Sequence, residues 1–183
     1  MSVHTEILRK LQATQALVDL YREHLDQESL TGVVSGFNET FVYLSLFGDD
    51  GLPNGISVVH RLNITRIRWG GNERVSIQEL IDAKGSKAMA PVLDLESTRS
   101  VLESVQQAFG YVNVMTEGSR SSVTFIGELA EIDDQSLVLN EFGTMQTRQG
   151  GHLWLPMDEI TRVDADASYE RDIKFLADKR RAS

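Results

Sequence analysis

The chain of 183 residues contains no cysteine. Disulfides, thiolate nucleophiles and cysteine-ligated metals are thereby excluded, and the composition fits a reducing, cytoplasmic setting. No run of about 18 apolar residues occurs, so no transmembrane helix is expected. The opening MSVHTEILRK begins an amphipathic pattern without the apolar segment of a signal peptide. Positive charge is scarce: 18 Lys and Arg stand against 27 Asp and Glu, a net charge of −9. The deficit deepens along the chain, from 8 basic and 11 acidic side chains in residues 1–85 to 10 and 16 in residues 86–183. Such a field repels a phosphate backbone unless a local basic patch overrides it. Nucleophile-elbow motifs and the recognised Gly-rich phosphate loops are also missing. No catalytic residue, cofactor or metal is therefore expected.

What remains is a soluble globular composition, 41% hydrophobic and 25% charged, and within it a repetition. ITRI (Ile64 to Ile67) returns as ITRV (Ile160 to Val163). Gly32, Leu44, Phe47 and Gly48 match Gly127, Leu139, Phe142 and Gly143 at an offset of 95. Gly55, Ile64, Thr65 and Arg66 match Gly151, Ile160, Thr161 and Arg162 at 96. One residue inserted in a loop explains the change, because loops accept insertions that strands do not. The chain is a tandem repeat.

Each copy is rich in β-formers that alternate, as in Phe41 to Leu46 and Leu137 to Glu141. Asn38-Glu39 and Asp133-Asp134 stand where tight hairpin turns are needed. ISVVHRLN and HLWLPMDE predict further strands, and ITRIRW and ITRVDA short final ones. Five short strands in about 40 residues make a poor flat sheet, which predicts closure into a small barrel. Helices frame both copies. Ile7, Leu11, Thr14, Val18, Tyr21 and Leu25 recur at helical spacing and predict one long first helix, its stripe widened by Leu8, Leu17 and Leu20. Val101, Leu102, Val105, Ala108 and Phe109 predict a second before copy 2. SIQE, Ser76 to Glu79, reads as a capping box opening a short helix that ends at Lys84-Gly85. Tyr169, Ile173 and Leu176 mark a last helix. YVNVMT, followed by the polar turn EGSR, reads as a strand that copy 1 lacks. The expected fold is thus mainly β with flanking helices (α+β): a helix and first small barrel in 1–84, a linker in 85–91, and a helix, second barrel and C-terminal helix in 92–183.

A helix followed by a bent five-stranded barrel, with G-x-hydrophobic-x-x-hydrophobic-Asp/Asn near its start, resembles the Sm-like family. Gly127, Leu129, Ile132 and Asp133 carry the motif in copy 2, and Gly32, Val34, Phe37 and Asn38 in copy 1. The resemblance implies tandem Sm-like, or more broadly SH3-like, small barrels. Sm proteins bind RNA with an Asn four residues after the motif Asp and with an Arg-Gly pair in the fourth strand. Val42 and Leu137 hold the Asn position here, and neither VVHRLN nor HLWLPM contains Arg-Gly.

The remaining candidates are weighed singly. His60 and His152 lie 92 apart, so they are not repeat mates, and neither has a second ligand at i+2 or i+4; surface strand histidines are expected. GDDGLPNG, Gly48 to Gly55, lacks the ligand pattern of a calcium loop and reads as a hairpin loop. Asp164 and Asp166 precede the last helix, where acids cap free amides. Lys179 to Arg181 complement a helix C-terminus. The one basic cluster is Arg61, Arg66, Arg68 and Arg74, with Arg66 and Arg68 on one strand face and Trp69 on the other. The expectation is a non-enzymatic binding or assembly module, self-associating as a homodimer or holding a protein partner. The alternative is an RNA-binding protein that uses an Arg61/Arg66/Arg68 face.

Overall fold

A computed structural model describes residues 2–119, 123–144 and 150–182. The chain divides into two compact units, Met1–Ala90 and Pro91–Ser183, each described by itself.

Unit 1 runs α1 (Val3–Thr14), β1 (Val18–Arg22), β2 (Asp26–Phe37), β3 (Phe41–Phe47), β4 (Pro53–His60), a 3-10 turn (Arg61–Asn63), β5 (Arg66–Trp69) and α2 (Asn72–Lys84). Unit 2 repeats the series: α3 (Thr98–Phe109), β6 (Val112–Met115), β7 (Thr124–Ile132), β8 (Ser136–Glu141), β9 (His152–Pro156), a 3-10 turn (Met157–Glu159), β10 (Arg162–Ala165) and α4 (Ser168–Arg181). The strand order is β5-β1-β2-β3-β4 in the first and β10-β6-β7-β8-β9 in the second, with antiparallel pairing throughout. The fold is mainly β with flanking helices, as expected. Barrel closure is not among the pairings of the described residues: β5 does not pair with β4, nor β10 with β9. The second strand of each set is bulged, and among the described residues the strands at the two ends of each set are not paired with each other.

The repeat extends to register. Gly32 faces Val18 and Leu46, and Gly127 faces Val112 and Glu141. A bulge falls between Val34 and Gly36 and again between Leu129 and Glu131, the same place in each copy. Both glycines are required by close approach. A Cβ on Gly32 would stand 3.0 Å from the Ser45 carbonyl carbon, and one on Gly127 would stand 2.9 Å from that of Asn140, nearer still to each oxygen. The backbone of the neighbouring strand occupies the space a side chain would need. The hairpin turns form as read: Asn38 Oδ1 accepts from the Thr40 and Phe41 amides, and Asp133 Oδ1 from the Gln135 and Ser136 amides.

The first helix is corrected. It stops at Thr14, because Gln15 takes a left-handed conformation (φ 50°) and Val18–Arg22 continues as β1. The long helical stripe was the sum of a helix face and a strand. Its counterpart α3 stops at Gly110, φ 79°, where glycine adopts the turn without a Cβ penalty. Consequently YVNVMT is not peculiar to copy 2: β6 is the mate of β1. Of the EGSR turn, Arg120 lies outside the described residues, as does most of the stretch between Gly143 and Gly151. Helix α2 begins at Asn72, four residues before Ser76, whose hydroxyl instead donates to the Asn72 carbonyl. It ends where expected, with Gly85 left-handed at its C-terminus.

Leu8, Leu11, Val18, Leu20, Val34, Val42, Leu44 and Val59 form one core beneath α1. Leu17, Val33, Phe47, Ile77 and Ile81 form another beneath α2. Of the residues matched between copies, Leu44, Leu139, Phe47, Phe142 and Ile160 are buried and Ile64 is half-buried.

Candidate functional site

The repeated Ile-Thr-Arg is a clip that fastens the fifth strand of each unit to the end of the first. The Thr65 amide and hydroxyl both donate to the Tyr21 carbonyl, at 2.9 and 3.2 Å. The same hydroxyl accepts from the Glu23 amide and donates to the Glu23 carboxylate at 3.1 Å. Arg66 then pairs with Glu23 at 2.5 Å. In unit 2 the Thr161 amide and hydroxyl donate to the Met115 carbonyl, at 3.0 and 3.2 Å. The Thr161 hydroxyl meets the Glu117 amide and carboxylate, and Arg162 lies 3.9 Å from Glu117. Ile fills the core, Thr closes the strand end and Arg neutralises the acid. The chain says this twice because the fold needs it twice.

The three arginines singled out from sequence do not form one face. Arg66 and Arg68 share the Tyr21 ring, 4.1 and 5.6 Å from its centroid. Arg61 turns to other partners: it donates to the Asn38 carbonyl at 2.7 Å and to Thr5 Oγ1 at 3.0 Å, with Glu39 3.6 Å away. Its side chain is 9% exposed, so it serves as a brace. Arg74 pairs with Asp19, which also accepts from Thr31. Ile67, Arg68, Trp69, Gly70, Gly71 and Arg74 line a shallow cavity of about 370 Å³, with Trp69 47% exposed beside it.

At the equivalent place in unit 2 two of the charges are reversed and a third is lost. Asp164 stands where unit 1 has Arg68, Glu170 where it has Arg74, and Asn113 where it has Asp19. These three are buried, with Asp164 held by Arg162 at 2.5 Å. Glu170 accepts from Asn113 Nδ2 at 2.6 Å and from the Ala167 amide at 3.2 Å, with the Tyr111 hydroxyl at 3.4 Å. Burial, and then the Asp164 charge, push the Glu170 carboxyl up to about 7. Burial and the Glu170 charge likewise raise the Tyr111 phenol above its usual range. The D-x-D reading is therefore corrected. Asp164 is a buried strand residue, and Asp166, left-handed at φ 66°, precedes the cap; the free amide at Ala167 is served by Glu170. Glu170 had no sequence signal of its own, since a carboxylate on a helix of an acidic chain reads as solvated.

The other candidates take ordinary places. The His60 ring lies 4.6 Å from that of Phe41, and His152 Nδ1 lies 2.7 Å from Asn140 Oδ1. The GDDGLPNG loop is a turn fastened to α2, with Lys84 Nζ donating to the Asp50 carbonyl at 2.6 Å and Gly51 packed against Leu80 and Ile81. Lys179 to Arg181 lie in the last turn of α4. Among the described residues no group of three or more His, Asp or Glu is placed to hold a metal, and no helix is long and apolar enough to cross a membrane. Both tryptophans of the chain lie on the strand at one end of their unit, Trp69 on β5 and Trp154 on β9, and are 47% and 62% exposed. Comparison with protein-family models, curated proteins and solved structures gives no match to this chain.

Proposed function

We propose that the protein is a non-enzymatic binding and assembly module made of two Sm-like small-barrel units, which self-associates as a homodimer through its end strands. One observation carries this reading: each unit displays its only tryptophan, exposed, on a strand bonded along one edge within that unit. An unpaired strand edge is a template for another chain, and tryptophan is the side chain most enriched where binding energy concentrates. The helix-then-five-strands order and the bulged, glycine-bearing second strand in each unit support the Sm-like reading. The helical stripe of copy 1 offers no interface, since it is divided between α1 and β1 and largely covered, which leaves the β5 edge as the interface in unit 1.

RNA is the less favoured partner. Arg61 is half-buried and braced, and Arg66 is neutralised by Glu23, so Arg68 is left to work against a net charge of −9. Light scattering after size exclusion at micromolar concentration tests the proposal. The expected mass is twice 20.4 kDa, falling to the monomer in Trp69→Ala or Trp154→Ala. A monomer at every concentration refutes assembly. Submicromolar, salt-sensitive binding of single-stranded RNA that is lost in Arg66→Glu/Arg68→Glu would replace this reading with the RNA one. A pull-down from native lysate, with and without RNase, separates protein partners from RNA-bridged ones.

A further inference from the structure

Helices α2 and α4 are repeat mates fastened by opposite chemistry. On α2, Arg74 is held by the Asp19 carboxylate, a pair of unlike charges. On α4 the same position is Glu170, 3% exposed, and every polar contact it makes is to a neutral donor: Asn113, Tyr111 and the Ala167 amide. The charged groups around it are engaged elsewhere or repel it. On β10, Arg162 pairs with Asp164 and Glu117, and the Asp164 charge acts against ionisation of Glu170. On α4 itself, Arg171 is bound to Asp166 and Lys174 to Asp178. From β6 come only Asn113 and, just before the strand, Tyr111. The three donors favour the ionised carboxylate, but burial and the Asp164 charge disfavour it and outweigh them.

We propose that α4 is a proton-dependent clasp, docked while Glu170 is neutral and loosened when it ionises, and that its loosening bares the apolar surface of Tyr111, Phe142 and Ile173. Those three side chains are buried, and Lys174 and Arg181 of α4 lie over the Phe142 ring at 5.9 and 5.7 Å. Docked Glu170 holds its proton more tightly than an exposed glutamate does, so docking takes up a proton. The clasp is therefore firmest below the ordinary carboxylate range and weakens as pH rises from 4.5 through about 7. Helix α2 is held instead by the Asp19–Arg74 ion pair and serves as the internal reference. The clasp is independent of whether the protein assembles through β5 and β9.

Amide hydrogen exchange of the full chain, corrected for intrinsic rates, compares the two helices within one molecule. The α4 opening equilibrium should rise about tenfold between about pH 6 and about pH 8.5, while α2 stays level. In Glu170→Gln the rise in α4 should vanish. Equal protection of α4 at both pH values overturns the proposal, as does an unchanged rise in Glu170→Gln. Should that variant not fold, the wild-type comparison of α4 with α2 still decides: a rise common to both helices, or to neither, refutes the clasp.

Discussion

Replacing Gly127 by alanine should destabilise unit 2 by about 2–4 kcal/mol, although it adds a single methyl group. The backbone there is of the kind any residue adopts, so no left-handed strain is involved; the cost is spatial. The new Cβ would lie 2.9 Å from the Asn140 carbonyl carbon and 3.0 Å from Glu141 Cα, with the Asn140 oxygen closer still. None of these atoms is a flexible side-chain tip, so β7 and β8 must part by roughly half an ångström or more to restore ordinary contact. Overpacking of this kind costs about 1–3 kcal/mol, and a weakened ladder bond adds about 0.5–1.5 kcal/mol. Gly118→Ala is the control, because nothing lies within 4 Å of its added Cβ; a change within about 0.5 kcal/mol is expected. Urea unfolding followed by Trp154 fluorescence in a Trp69→Phe background reports unit 2 alone. A Gly127→Ala variant as stable as the Gly118→Ala control would show that the strands yield freely, and the account of both repeated glycines would fall.

Leu44→Ala and Leu139→Ala, both at fully buried positions, should each cost about 2–5 kcal/mol, Leu139→Ala in the same measurement and Leu44→Ala in its counterpart, Trp69 fluorescence in a Trp154→Phe background. Thr65→Ala and Thr161→Ala break the same clip, yet unequally. Glu117 is 4% exposed and Glu23 47%, so water can serve Glu23 when the hydroxyl is gone and cannot serve Glu117. Thr161→Ala should lose about 1–3 kcal/mol and Thr65→Ala clearly less; equal losses would mean that the clip's hydrogen bonds are worth the same wet or dry.

The repeat was legible because it is written in identities whose spacing survives turns of changing length. Asn38 and Asp133 announced the hairpins correctly because their side chains satisfy turn amides wherever they occur. The first helix was misread at Gln15, where unit 1 makes with glutamine the left-handed turn that unit 2 makes with Gly110. With no glycine to mark the stop, the strand's apolar residues fell into step with the helix. The start of α2 was missed for a similar reason: Gly71 caps it without a side chain, while Ser76 offered a plausible cap inside the helix. The site was less legible than the fold. Arg66 and Arg68 were found as a pair, but Arg61 joins neither, since sequence spacing does not say that a side chain turns back to Thr5. Glu170 could have been found by laying copy on copy, where Arg74 faces a glutamate and Asp19 an asparagine.

That reversal of charge also bears on how such a chain reaches its native state. A sequence that carries one fold twice can pair a strand with the wrong copy while it folds, and the Ile-Thr-Arg clip, being common to both, does nothing to prevent this. The residue two places beyond its arginine differs between the copies. In unit 1 Arg68 lies opposite Asp19 across the β1–β5 ladder, and in unit 2 Asp164 lies opposite Asn113 across β6–β10. A β10 strand that settled on β1 would bring Asp164 face to face with Asp19, two carboxylates in a position that both native pairings keep free of like charge. The two copies thus carry different passwords at the same address, and the mismatch disfavours β10 on the first strand of the wrong copy.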